Sequence, residues 1–155
     1  MAESVVAIHS EELKALCAKL NGMALSAGDK RSLLARVGVE MESQTEEHFR
    51  ATKSSPDGDS WKALADSTKK HYLKKFGTVN PGHGLLFRSG ELRDSVRSEA
   101  DSEKVLVGAT KVYAAVHQFG WDKKNIPPRP YLGMGAGDAA EIMAIISEFL
   151  AERAA

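Results

Sequence analysis

At 155 residues and 43% hydrophobic content the chain is long enough for one ordinary domain with its own core, which leaves little room for a second. Lys plus Arg and Asp plus Glu both total 21, so no global field draws it toward nucleic acid or an anionic membrane, and weak self-repulsion eases self-association. The single cysteine, Cys17, excludes an intramolecular disulfide and a cysteine-built zinc site.

In chain order, the N-terminus has no basic n-region, and the apolar run from Val5 to Ile8 is too short for a signal peptide or a membrane span. The expectation is a reduced, cytoplasmic product. Ser10 caps a short amphipathic helix carrying Leu13, Leu16, Cys17 and Leu20 at three- and four-residue spacing. After breakers at Asn21-Gly22 and Ser26-Gly28, Asp29 can cap a second helix to about Thr52, with Leu33, Leu34, Val37, Met41, Thr45, His48 and Phe49 on one side. Gly38 in its middle either costs about 1 kcal/mol or permits a close contact. Residues 53–85 change character: Ser-Ser-Pro-Asp-Gly-Asp-Ser, a lysine-rich amphipathic stretch, then Gly-Thr-Val-Asn-Pro-Gly-His-Gly. They read as an extended arm or loop with a short helix inside, and Trp61 docks on the core or on a partner.

Beyond the arm, Asp101-Ser102-Glu103 is a turn before the β-prone Val105-Leu106-Val107, and a hairpin with the segment ending at Val96 is the economical reading. Tyr113 to Phe119 fits a strand or a short helix, and Ala114-Ala115 favours the helix. Ile126-Pro127-Pro128-Arg129-Pro130 is extended and delivers Tyr131 and Leu132 to a surface. Asp138 with Glu141 has the spacing of a capping box, and Ile142, Ile145, Ile146, Phe149 and Leu150 form the stripe of a C-terminal helix. The fold class expected is α+β: a single domain over residues 1–155, with a small antiparallel sheet, flanking N- and C-terminal helices and a long central arm at 53–85.

No residues assemble into a catalytic pattern. His9, His48, His71, His83 and His117 are scattered singly, without HExxH or metal-ligand spacing, so no cofactor or metal is expected. His48 shares an apolar stripe and reads as a hydrogen-bonded core histidine, whereas His117, crowded by Tyr, Gln, Phe and Trp, is the one candidate general base. A packing role is the ordinary reading for it. Ser89 before Gly90 is a cap or turn residue rather than a nucleophile. Lys62, Lys69, Lys70, His71, Lys74 and Lys75, interleaved with Tyr72 and Phe76, could neutralise phosphates and stack bases. Alternatively, Leu64, Leu73 and Phe76 form the apolar side of a helix packing on a neighbouring subunit, with the lysines solvated outside.

Three blocks, in order, resemble the phage virion morphogenesis family that includes the tail-completion proteins of Mu-like and P2-like phages. They are Pro56-Asp57-Gly58-Asp59-Ser60-Trp61-Lys62-Ala63-Leu64; Leu86-Phe87-Arg88-Ser89-Gly90-Glu91-Leu92 running to Val96; and Val107-Gly108-Ala109 with Tyr113 to Gly120 and Ile126 to Gly133. Ala63 stands where the family commonly has proline, and the segment after Gly120 is short. The resemblance implies a non-enzymatic structural protein of the virion, assembled in the host cytoplasm, that finishes the tail and joins it to the head at the neck. It implies rings, commonly sixfold, around the DNA channel, with the tail terminator or tube and the head-tail connector as partners and no membrane contact. A head-to-tail ring needs two different patches on one subunit. Candidates are the aromatic and anchoring residues Trp61, Leu64, Tyr72, Phe76, Phe87, Tyr113, Phe119, Trp121, Arg129 and Tyr131. Lys69, Lys70, Lys74 and Lys75 are candidates to face genomic DNA in the channel through non-specific contacts.

Overall fold

A computed structural model describes residues 24–52, 54–79 and 88–154, together with 15, 18, 20, 22, 85 and 86. The expected Ser10 cap, Leu13, Leu16 and Cys17 lie outside the described residues, as do His9, His83 and Phe87. Ala15, Ala18 and Leu20 are helical.

Helix α1 spans Ala27–Glu47 and runs on as a π-helical turn, His48–Thr52. Its cap is Ser26 rather than Asp29: the Ser26 hydroxyl accepts from the Asp29 amide at 3.1 Å and donates to the Asp29 carboxylate at 2.8 Å. Asp29 therefore sits one turn inside, where a carboxylate favours the helix N-terminus. Helix α2 (Asp66–Phe76) lies within the expected arm, and α3 (Glu91–Asp94) is a single turn leading into the hairpin of β1 (Val96–Ala100) and β2 (Val105–Ala109). The strands pair antiparallel from Val96↔Ala109 to Ala100↔Val105. The Asp101 carboxylate closes their turn by accepting the Glu103 and Lys104 amides at 2.7 and 2.8 Å. Helix α4 (Ala114–Phe119) resolves the strand-or-helix ambiguity, and a 3-10 turn follows at Asp122–Lys124.

Helix α5 spans Ala136–Ala154. It begins earlier than the Asp138-Glu141 spacing indicates, because Asp138 reaches back to accept the Gly135 amide at 2.9 Å. Glu141 takes no part in that cap; its carboxylate accepts from Gln44 Nε2 at 3.1 Å. The architecture is the α+β one expected, with five α-helices and one two-stranded sheet among the described residues.

Two apolar clusters hold it together. Leu33 and Val37 of α1 meet Ile142, Ile146 and Phe149 of α5, with Leu20 and Val105 at the margin. Each such side chain contributes about 1.5–3 kcal/mol on burial. The second cluster joins Phe49, Trp61, Leu92, Val96, Ala114, Tyr131 and Leu132, drawn from the π-helical turn, the start of the arm, α3, β1, α4 and the proline-rich segment, with Val107 and Ala109 of β2 packed against it. Gly38 explains how α1 approaches the sheet: a Cβ there would lie 2.8 Å from Ser98 Oγ and 3.0 Å from a Val105 methyl. One turn later Glu42 accepts from both the Ser98 amide (2.5 Å) and its hydroxyl (2.6 Å), which pins α1 to the outer edge of β1.

Candidate assembly surface

The residues of the three sequence blocks converge on one buried junction. Trp61 Nε1 donates to the Pro130 carbonyl at 2.7 Å, and its ring lies edge-on to Phe49, with centroids 5.9 Å apart. Arg129, carried by the proline-rich segment, donates to the carbonyls of Lys62 (2.7 Å) and Ala63 (3.0 Å). Gln118 of α4 completes the clamp. Its Oε1 accepts the amides of Tyr131 and Leu132, both at 3.0 Å, while its Nε2 donates to the Leu132 carbonyl at 2.9 Å. The Tyr131 hydroxyl donates to the Ala114 carbonyl at 3.3 Å. Prolines at 127, 128 and 130 deny this segment a regular ladder, so a side-chain amide supplies the missing partners. Gly135 passes so close to the Pro56 carbonyl that no side chain fits. A Cβ on Gly133 would likewise lie 2.8 Å from the Pro56 ring, so the end of the last block rests against the first.

This packing corrects part of the interface expectation. Trp61, Arg129 and Tyr131 are buried in the protein's own core, so they shape a surface without presenting one. Trp61 and Arg129 each bond backbone carbonyls of the other's block, while the Tyr131 hydroxyl bonds the Ala114 carbonyl within its own. The start of the 53–85 segment is likewise tethered, through Trp61, a Ser54–Ser60 bridge and the Ser55–Asp59 backbone bond. Gln118, which pattern reading passed over, was signalled weakly by a polar side chain between apolar ones just ahead of a proline-rich run.

The surface itself is built from what remains exposed. Helix α2 contributes no buried residue, yet Leu73 is 54% and Phe76 43% exposed, and Tyr72 stacks edge-on with Phe76 at 5.9 Å. An eleven-residue helix is marginal in water without tertiary packing. Its C-terminal end is well made, with Lys74 and Lys75 in the last turn and Gly77 in the left-handed region donating to the Leu73 carbonyl at 3.0 Å; at the other end Asp66 lies in the first turn, but Ala65 supplies no side-chain cap. Lys70, Lys74 and Lys75 are exposed, whereas Lys69 is half-buried and pairs with Asp66 at 3.3 Å. Leu64 and Tyr72 line a cleft of about 330 Å³ together with Leu86, Arg88, Tyr113 and His117. A second apolar group stands at the end of α4, where Phe119 is 59% and Trp121 45% exposed.

His117 is half-buried and lines the same cleft as Arg129. Burial, and then the Arg129 guanidinium, hold its pKa below the ordinary imidazole value. No described group bonds its Nδ1, and the Tyr113 ring meets it edge-on at 5.9 Å. His48 is the core histidine expected, buried with Nδ1 3.4 Å from the Tyr131 carbonyl and Nε2 3.7 Å from Asp138. Among the described residues no group of three or more His, Cys, Asp or Glu could hold a metal, and no helix is long and apolar enough to cross a membrane.

The model of the phage virion morphogenesis family matches residues 11–151. The chain is 29% identical over 125 residues to the Mu-like prophage FluMu G protein 1 of Haemophilus influenzae, covering 80% of this chain and 82% of that protein. It is 31% identical over 106 residues to the putative capsid assembly protein G of Escherichia phage Mu, covering 64% of this chain and 66% of that one. An uncharacterized protein of Methanocaldococcus jannaschii is 36% identical over 75 residues, covering 46% of this chain and 53% of its own length. No solved structure matches the chain.

Proposed function

The chain belongs to the phage virion morphogenesis family, and from that premise we propose that this protein completes the tail at its head-proximal end and joins it to the head, as a ring around the DNA channel. A structural part in virion assembly follows from the family match over residues 11–151. The relative in phage Mu, named for capsid assembly, supports the same general role.

The observation that carries the finer reading is α2. A helix closed at its C-terminus by Gly77, with Leu73 and Phe76 exposed and no buried side chain of its own, is an element waiting for a partner surface. Phe119 and Trp121 offer a second, chemically different patch. Two dissimilar patches on one subunit are what a heterologous contact requires, and such contacts close into rings when the rotation allows. Partners in this reading are further copies of the chain, the tail terminator or tube, and the head-tail connector. Lys70, Lys74 and Lys75 then face DNA through phosphate contacts that carry no sequence preference.

The test is the mass of the purified protein by light scattering, alone and with isolated tails, together with negative-stain imaging. The expected result is a closed ring or added density at the head-proximal tail end, lost in Leu73→Ser/Phe76→Ser with the unfolding midpoint unchanged. Density on capsids but not on tails, or binding that ignores the double variant, overturns the proposal.

A further inference from the structure

The two edges of the hairpin are treated differently. The bonds Asp101 N to Lys104 O and Thr110 N to Ser95 O set the phase of the ladder. Residues 97, 99, 106 and 108 turn their backbone groups inward between the strands, and 96, 98, 100, 105, 107 and 109 turn theirs outward. On β1 the outward Ser98 amide is capped by the Glu42 carboxylate at 2.5 Å. On β2 no described residue bonds the outward amides and carbonyls of Val105, Val107 and Ala109. That strand, Val-Leu-Val-Gly-Ala, holds no lysine, no proline and no bulge, the devices by which proteins blunt an open edge. A two-stranded sheet is also marginal by itself.

We infer that β2 pairs antiparallel with β2 of a second copy about a twofold axis at Val107, making one four-stranded sheet across two subunits. The register follows from the side chains. With Val107 opposite Val107, Leu106 of each copy lies opposite Gly108 of the other. Leu106 is 45% exposed, and the space over Gly108 is open, with nothing within 4 Å of where its Cβ would be. The projecting leucine thus meets the one strand position without a side chain. Across the outer face the row runs Glu99, Leu106, then the second copy's Gly108 and Arg97, so no two like charges face each other. The same axis sets Glu103 of one copy toward Lys111 of the other, an opposite pair at each end. The contact is isologous, and it stands independently of the ring contact proposed for α2.

Gly108→Val separates this pairing from folding. The added side chain enters open space within one subunit and favours a strand, but it fills the place that Leu106 of the second copy occupies. Light scattering across a concentration series, with amide hydrogen exchange on the full chain, reads the contact. Wild type should associate in twofold steps, with exchange at the Val105, Val107 and Ala109 amides slowing as concentration rises. Gly108→Val should weaken that association at least tenfold while its unfolding midpoint and far-UV spectrum stay as in wild type, and Leu106→Lys should do the same. A chain that is monomeric throughout, or an oligomer in which those three amides exchange as fast as in dilute solution, overturns the pairing; a ring of the latter kind would leave the neck reading standing.

Discussion

Replacing Gln118 by Met isolates the clamp that holds the proline-rich segment. Methionine keeps the volume and the helix propensity and removes every hydrogen-bonding atom. The Gln118 side chain makes three bonds, to the amides of Tyr131 and Leu132 and to the Leu132 carbonyl, all in buried surroundings. At about 1 kcal/mol per bond, with a further penalty because two N–H groups stay buried without acceptors, the expected loss is about 3–5 kcal/mol. That is a large share of the roughly 5–15 kcal/mol that holds a domain folded. Urea unfolding followed by tryptophan fluorescence in a Trp121→Phe background, which leaves Trp61, itself bonded to Pro130 in the same segment, as the reporter, is the assay. With a slope of about 1–3 kcal/mol/M the midpoint should fall by roughly 2 M. A loss under about 1 kcal/mol at unchanged slope would refute the reasoning, because the segment would then be held by Tyr131 and Leu132 packing alone.

Two further substitutions probe the joints of α1. Gly38→Val should destabilise by about 1–3 kcal/mol despite a better helix former, since its side chain meets Ser98 Oγ and Val105, and Ser98 is held in place by Glu42; an equilibrium denaturation midpoint at or above wild type would contradict this. Partial burial, and then the neighbouring Glu141, raise the pKa of Glu40 above its ordinary carboxylate value. The folded state therefore binds the proton more tightly than the unfolded chain, so this group's contribution is full below the ordinary value and is lost as pH rises through the raised one. Glu40→Gln should then raise the thermal midpoint at pH 7 and leave it near wild type at pH 4, and an equal shift at both would rule out titration as the cause.

How much of this was legible in the sequence follows from the range of each interaction. Helical spacing is a local property, so Leu33, Val37, Ile142, Ile146 and Phe149 identified the inner faces of α1 and α5 without any knowledge of what they meet. Turn chemistry is equally local, and Asp101 with Val105 to Val107 announced the hairpin. The ordered blocks around Trp61, Ser89 and Tyr131 carried the family. Which aromatic lies inside and which outside was not local. Trp61 and Tyr131 look as exposed in a Ser-rich or Pro-rich stretch as Phe76 and Trp121 do, and only contacts about seventy residues apart, such as Trp61 with Pro130, sort them. The caps, by contrast, were shifted by local contacts, since Asp29 and Asp138 each bond a residue three positions earlier rather than acting as the cap. The difference between the two edges was the least legible feature, because Glu42 of α1 reaches the Ser98 amide of β1 across fifty-six residues, while no described residue bonds the outer edge of β2.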